Sequence, residues 1–441
     1  MAGKRGANTV GLHPGSILLR RPYAPLSGRI SCWYACLAIV WLAAPGSAQD
    51  AGGARISAGF HAIGLGTHAT PALTGEAKTE SYVTNPLFMV HATAASGRVS
   101  LAGSLNFEKW TLRGGELAAG NAGEGYIDRR HPHTWLHEMM ATAQIPLRAG
   151  EFSFSAGRGF APFGTDDPMV RPFAKFPANH HLMQIPERLL LVAAVRRGPL
   201  GIEAGLFNGD EPTGPTSLGR LRRFGDSWAA RLTLRPAAAL ELQAGHARVE
   251  SPEHALGGGL DQRKWSASAR WAEELRSRRL YGLLEWGETY EYASGVRAYV
   301  FTTVLAEAGV GLRDWRTALR FERTTRPEEE RLADPFRSVR PHGDENIVGA
   351  TRWNTVTLQA ARAFSVRALG LEPFAEAARS GVSEITGAIF DPLEFYGSTS
   401  LWNLSLGIRV RAGVQHARMG RYGAALPDNA GHPAAHGMTH E

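Results

Sequence analysis

The stretch KWSASARW, residues 264–271, alternates without a slip. Trp265, Ala267, Ala269 and Trp271 form one set, and Lys264, Ser266, Ser268 and Arg270 form the other. A period of two belongs to a β-strand with one apolar face and one wet face. In a soluble protein the apolar face meets a core, so the question is what covers it when most strands in a chain read this way.

The same pattern recurs along the chain. DSWAARLTLRP sets Trp228, Ala230, Leu232 and Leu234 against Ser227, Arg231, Thr233 and Arg235. DWRTALRFER sets Trp315, Leu319 and Phe321 against Arg316, Arg320 and Glu322. LWNLSLGIRVR sets Trp402, Leu404, Leu406, Ile408 and Val410 against Asn403, Ser405, Arg409 and Arg411, and RVSLAGSLNF puts Val99, Leu101, Leu105 and Phe107 on one side. Tight links at 96–97, 147–150, 196–199 and 235–238 alternate with long polar stretches near 65–85, 113–132, 160–186, 209–225, 250–262, 325–345 and 379–398.

This rhythm predicts an all-β chain: a single transmembrane antiparallel β-barrel of about 16 strands, with short periplasmic turns and long external loops. Lipid covers the Trp/Ala/Leu face, and the Lys/Ser/Arg face lines a wet interior. An arginine on the lipid face near mid-bilayer costs about 2–4 kcal/mol, which explains the clean sorting of charge. Trp265 and Trp271 stand roughly 20 Å apart along their strand, less than the apolar band, so at most one is centred on an aromatic girdle. A propeller needs a repeat of about 40–45 residues, and none is present. A sandwich of this length needs several domains joined by linkers, and no linker stands out.

Residues 1–48 read as a secretory signal. Arg20, Arg21 and Arg29 precede the apolar core CWYACLAIVWLAA, and Gly46 and Ala48 occupy the −3 and −1 positions before cleavage. Both cysteines, Cys32 and Cys36, fall inside it, so the exported chain has no disulfide to stabilise it. No apolar run reaches the roughly 20 residues of a membrane-spanning helix. The formal charge of +7 is mostly the leader: without its five basic residues the remainder carries 43 basic against 41 acidic side chains, so the basic isoelectric point gives no ground for a nucleic-acid partner. The barrel is expected over 49–413. A polar tail containing His and Gly, free in the periplasm, is expected over 414–441.

GLFNGDEP, residues 205–212, together with the strand–loop organisation, resembles the phosphate-selective porin family. More broadly the chain is similar to a Gram-negative outer-membrane porin. The resemblance implies passive uptake of small hydrophilic solutes, with basic residues guiding anions. Partners are then outer-membrane lipid, lipopolysaccharide and the solute itself, and oligomers are common among such proteins. By position the loop RGFAPFGTDDPMVRPFAKFPANHHLMQIPER, residues 158–188, resembles the third loop that narrows general porins; it carries Asp166, Asp167, Arg171, Lys175, His180 and His181. The alternative is a loop that only lids the barrel.

Alternation alone assigns Arg231, Arg235, Lys264, Arg270, Arg316, Arg320, Arg409 and Arg411 to the lumen, where fixed cations favour anions. Glu138, Glu241, Glu285, Glu372 and Glu376 fall on polar faces of other strands, where cross-strand pairing would cancel much of that field. A mild anion preference and a neutral bracing ladder therefore both stand. The histidines of HPH (131–133), NHH (179–181) and the C-terminal end share no ligand spacing, so no metal or cofactor is expected. GDS at 225–227 begins a strand and WLHEMM lacks a second histidine, so no catalytic residues are assigned. A hydrolase would need Ser, His and an acid on one rim. A non-conducting structural or adhesive barrel is the competing class.

Overall fold

A computed structural model describes residues 49–51, 54–70, 77–94, 97–111, 134–165, 171–174, 177–178, 180–212, 216–329, 347–386, 391–414 and 418–425. The alternating segments become sixteen long strands: β1 Ala54–Thr70, β2 Lys78–Ala94, β3 Val99–Asn106, β4 Leu136–Leu147, β5 Gly150–Gly159, β6 Arg188–Arg197, β7 Leu200–Asn208, β8 Phe224–Ala237, β9 Leu240–Val249, β10 Asp261–Leu275, β11 Arg278–Ala293, β12 Val296–Leu312, β13 Trp315–Glu329, β14 Ile347–Arg362, β15 Leu369–Thr386 and β16 Ser400–Gly413. Two short pieces, Gln49–Ala51 and Phe364–Val366, pair beside β1 and β15. Helix is limited to single turns, among them α1 Glu108–Thr111, α2 His180–Met183 and α3 Pro392–Tyr396.

Each strand pairs antiparallel with the next, and β16 returns to β1 from Trp402↔Thr70 to Gly413↔Gly59. The sheet is thereby closed, and closure leaves no long strand with an unpaired edge. Turns at 148–149, 198–199, 238–239, 276–277 and 313–314 mark one end, and the longer connections mark the other. One hairpin breaks the rule. Residues 294–295 join β11 to β12 at the long-loop end, with Ser294 and Gly295 both at positive φ (48° and 83°), the backbone of a tight two-residue turn.

KWSASARW lies within β10 and faces as its alternation requires. Trp265 and Trp271 are exposed on the outside, while Lys264 and Ser266 are buried inside. The same sorting holds around the wall. Leu206, Leu232, Leu284, Leu319, Val356 and Leu404 point outward and are exposed; Glu203, Arg231, Glu285, Arg320, Thr355 and Ser405 point inward and are buried. An apolar outer face over a polar interior is the reverse of a soluble barrel and suits a lipid surround. The largest apolar core is also internal: Met140, Phe163, Ile185, Leu190, Val192, Phe207 and Tyr422 pack between the wall and segments that fold into the barrel.

Three expected loops are shorter than the sequence pattern implied. β1 runs on to Thr70 and β2 begins at Lys78, so most of 65–85 is strand. β13 extends to Glu329 and β15 to Thr386, taking residues from the 325–345 and 379–398 loops. The reason is length. A 17-residue strand spans roughly 56 Å, well beyond a lipid band about 25 Å tall. The overhang has no greasy face to keep, and its sequence, as in KTESYVTN, loses the alternation that marks a strand.

The tail differs from expectation more sharply. Residues 418–425 are not free in solvent: Met419, Arg421, Tyr422 and Ala424 are buried inside the barrel. The leader at 1–48 and the histidines at 131–133, 416, 432, 436 and 440 lie outside the described residues.

Candidate functional site

The interior is shaped by the connection between β5 and β6. From Gly159 the chain turns inward; Phe160 buries against Leu87 and Met89 of β2, and Ala161 and Phe163 against the β4–β9 wall. The Gly164 carbonyl accepts from Arg231 on β8 at 3.2 Å. Further along, the Ala174 and Ala178 amides donate to Glu376 on β15 (2.8 Å) and Glu322 on β13 (2.7 Å). Pro172 is held by Arg316 (3.0 Å) and Arg409 (2.9 Å), both donating to its carbonyl, and Arg320 lies over the Phe173 ring at 4.1 Å. Leu182 of α2 ends against Phe301 and Ala350. Through its described residues the segment therefore touches opposite walls of the interior. Arg171 is its one described charged residue from the expected set. Asp166, Asp167 and Lys175 lie outside the described residues, as do the side chains of His180 and His181, whose backbone forms part of α2.

Arg171 is the centre of the crossing. Its guanidinium donates to both Glu285 oxygens, at 2.5 and 3.0 Å, and to Thr165 Oγ1 at 3.0 Å, while Thr165 donates to Glu285. Glu307 stands 3.6 Å from it and also receives Arg320 Nε and Tyr281 OH, at 2.8 and 2.7 Å. Burial alone would lower the guanidinium's affinity for its proton; Glu285 and Glu307 overcome that and hold Arg171 above the ordinary arginine range.

A second cluster lies toward the short-turn end on β13, β15 and β16. Glu372 receives Arg316 at 2.7 Å and Arg409 in a shorter contact, with Arg411 3.9 Å away. Three cations thus converge on one carboxylate. Glu376, a strand turn further in, accepts from Gln359 at 2.8 Å. On β10, Arg270 sits over the Tyr281 ring at 6.0 Å, and Lys264 reaches Gln262 at 3.5 Å.

The third cluster occupies the β4–β9 side. Arg231 meets Glu203 through two 2.7 Å hydrogen bonds, and Arg235 donates to Glu241 at 2.8 Å. Here the C-terminal segment enters. Arg421 donates to Glu203 at 3.2 Å, Arg418 donates to Glu241 at 2.7 Å, and the Tyr422 hydroxyl donates to Glu138 at 2.7 Å while accepting the Phe160 amide at 2.9 Å. Burial, the neighbouring Arg231 and Arg418 push Arg421 down to about 10 against the pull of Glu203 and Glu241. Burial and the Glu138 carboxylate push the Tyr422 hydroxyl well above its ordinary range.

Sequence alternation placed the strand residues on faces, Glu322 among them, yet Glu203, Glu307, Arg418, Arg421 and Tyr422 were not among the residues it singled out. Glu203 and Glu307 carried a usable signal, since LGIEAGLFN and VLAEAGV alternate around them. The C-terminal three carried none. Of the two fragments weighed for catalysis, Ser227 Oγ donates to Asp226 at 2.7 Å and accepts the Glu250 amide, and His137 Nδ1 sits 2.7 Å from Glu187. Among the described residues no group of three or more His, Cys, Asp or Glu is arranged to hold a metal.

The outer surface carries an aromatic cleft at the long-loop rim. His246 lies edge-on to Trp228 and tilted against Trp265, with ring centroids 5.2 and 3.9 Å apart, beside Arg248, Arg263, Tyr290 and Tyr292 around a cleft of about 350 Å³. Arg263 lies over Tyr292 at 4.7 Å, and Arg297 lies over Tyr290 at 5.8 Å. Trp265 lies at this rim, and Trp271, paired with Leu240, lies beside the 238–239 turn at the opposite end of β10.

No family model matches the chain, and no curated protein matches it. Among solved structures it is similar to the anion-selective porin of Comamonas acidovorans, at 10% identity, TM-score 0.46, with 82% of this chain and 100% of that chain covered. It is also similar to OmpT of Vibrio cholerae in a trimer form (9% identity, 82% and 99% covered, TM-score 0.45). Pseudomonas aeruginosa OpdO is a further similar structure (11% identity, 82% and 98% covered, TM-score 0.40).

Proposed function

We propose that the chain is an outer-membrane channel for passive diffusion of small hydrophilic solutes, with a mild preference for anions. The carrying observation is the inversion of polarity. Arg, Glu, Thr and Ser line the inside of a sixteen-stranded closed sheet whose outside is an exposed apolar band. A barrel that held only itself together would not need a charged interior, because buried ion pairs contribute little or nothing to stability over apolar packing. The crossing of the interior by the 160–187 segment supports its role as a constriction.

The anion preference rests on Glu372. Arg316, Arg409 and Arg411 face this one carboxylate, which leaves positive potential on that part of the wall. Elsewhere the pairing of Glu203, Glu241, Glu285 and Glu307 with arginines cancels the field, so the preference is small.

The reading includes export through the 1–48 signal, insertion in a Gram-negative outer membrane, and short turns facing the periplasm. The external aromatic cleft with Arg248 and Arg263 suits the phosphorylated headgroup of lipopolysaccharide, with the girdle in the lipid. An oligomer is compatible with this arrangement. The test is single-channel conductance of the refolded protein in a planar bilayer under a salt gradient. Stable steps with a reversal potential displaced toward that of the anion are expected. Silence from protein shown to be a folded barrel would move the function to its loops, as a structural or adhesive barrel.

A further inference from the structure

After its last strand the chain turns back. Gly413 pairs with Gly59 beside the short-turn end, and residues 418–425 then lie inside the barrel against β2 and β4–β9. The described polar groups that fix the segment come from the wall and from the 160–187 crossing. Arg418 and Arg421 reach Glu241 and Glu203; the Ala424 amide donates to Ser153 Oγ at 2.9 Å; Arg231 donates to the Gly420 carbonyl at 2.9 Å. Tyr422 joins Glu138 to the Phe160 amide, and Met419 packs with Phe160, Leu87 and Met89. The backbone approach is close. Gly423 has φ of 52°, and a Cβ there would sit 2.3 Å from Ser153 Oγ; a Cβ on Gly159 would sit 2.2 Å from the Tyr422 hydroxyl. A segment lying loosely on the wall would not need such fits.

The charges matter as much as the volume. With the segment docked, Arg231, Arg235, Arg418 and Arg421 face Glu138, Glu203 and Glu241. Without it, Arg231 and Arg235 face the same three carboxylates. The sign of this part of the interior therefore depends on eight residues that follow the barrel.

We infer that residues 418–425 form a second constriction of the lumen, in which Arg418 and Arg421 set ion preference by neutralising Glu241 and Glu203. The inference rests on the channel reading and adds to it a specificity determinant outside the strands and outside the 160–187 loop. The segment narrows the β4–β9 side while the loop crosses to the opposite wall, and Arg231 ties the two together through Gly164 and Gly420.

Two measurements on the refolded full chain test it. The first does not depend on conduction: trypsin acts on the folded barrel, and mass spectrometry follows cleavage after Arg418 and Arg421. In the wild type these bonds are cut at least about tenfold more slowly than in the urea-unfolded chain, as local opening limits access. Glu203→Gln/Glu241→Gln abolishes the protection.

The second measurement is conductance under a salt gradient. Arg418→Ala/Arg421→Ala gives a larger unit step and a reversal potential moved toward the cation. Glu203→Gln/Glu241→Gln also gives a larger step, but without the cation shift, since the carboxylates are gone. A wild type that is silent while both variants conduct also supports the inference, as a complete closure. Rapid cleavage of the folded wild type overturns it, as does a conducting wild type whose step and reversal potential are unchanged in Arg418→Ala/Arg421→Ala. Silence from all three proteins with the bonds protected overturns the channel reading, and the inferred ion role falls with it.

Discussion

Arg231 and Glu203 face each other on β8 and β7 and share two hydrogen bonds of 2.7 Å, one from Nε and one from Nη2. That fork leaves the guanidinium's other N–H groups to reach Gly164 in the crossing loop and Gly420 in the C-terminal segment. One side chain thus fixes the wall, the loop and the tail. A lysine has no fork to reproduce this, so Arg231→Lys is expected to behave almost as Arg231→Ala. Breaking a buried pair costs about 3–5 kcal/mol, mostly from the carboxylate left behind. Adding Glu203→Gln to Arg231→Ala should therefore recover part of the loss. Urea unfolding of the three variants in detergent micelles measures this, and a double variant less stable than Arg231→Ala would contradict the assignment.

Arg171 anchors the middle of the crossing to β11 and β12. Arg171→Ala removes the only described charge by which the loop grips that wall, while Glu285 keeps Thr165. The expected outcome is a larger and noisier conductance with the barrel still folded. Lysozyme-sized proteins added outside remain excluded by the wall itself, so uptake of a graded series of neutral sugars into liposomes gives the size of the enlarged path. An unchanged size cut-off would remove Arg171 from the constriction.

How far the sequence carried this structure depends on the range of each interaction. KWSASARW was legible because alternation is local: its partners in the pattern are two residues away, and lipid imposes the same rule on every strand. Arg316, Arg409 and Glu372 were assignable to one face, but not to one another, because their meeting depends on the β13–β16 register. The overhangs KTESYVTN and GLGTHAT read as loop because strand outside the lipid has no greasy face to reveal it. Arg421 was illegible in kind. Its partner Glu203 lies 218 residues earlier, and a short polar stretch after the last strand has no periodicity that separates a docked segment from a free one.

Glu372 balances Arg316, Arg409 and Arg411, so its neutralisation is the direct test of the anion preference. Glu372→Gln keeps a hydrogen-bond acceptor of similar size and removes one negative charge. The reversal potential under a salt gradient should move further toward the anion, and more at low ionic strength, where the Debye length is about 30 Å rather than about 8 Å. A shift toward the cation would mean that a different part of the lumen controls selectivity.

Tyr422 gives the docked segment a pH response of defined sign. Its hydroxyl is held above its ordinary value by burial and Glu138, so its contribution to docking is whole below about pH 10, the free tyrosine value. It is lost as pH rises through the higher docked value. Arg421 has the opposite sign: lowered to about 10 when docked, it favours docking more as pH climbs from there. Comparing wild type with Tyr422→Phe cancels the arginine. Above pH 10 the stability advantage of the wild type should shrink by up to about 1.4 kcal/mol per pH unit. Urea midpoints at pH 9 and pH 11 give the comparison, and a constant difference would mean that Tyr422 ionises as freely when docked as when unfolded.

Leu232 and Leu275 test the lipid surround itself. Both point outward and are exposed, 44% and 53%, away from the packed interior. Leu232 is central in β8, opposite Ile202 on β7 and Ala244 on β9. Leu275 ends β10 beside the 276–277 turn. In water, arginine at either place would change stability little. In a bilayer, Leu232→Arg near the midplane should cost about 2–4 kcal/mol, and Leu275→Arg at the interface about 0–1 kcal/mol. Unfolding from phospholipid vesicles measures both. Depth is the decisive variable, since the two substitutions are chemically identical. Equal, small costs would mean that this face meets water, and the inversion of polarity would then need another cause.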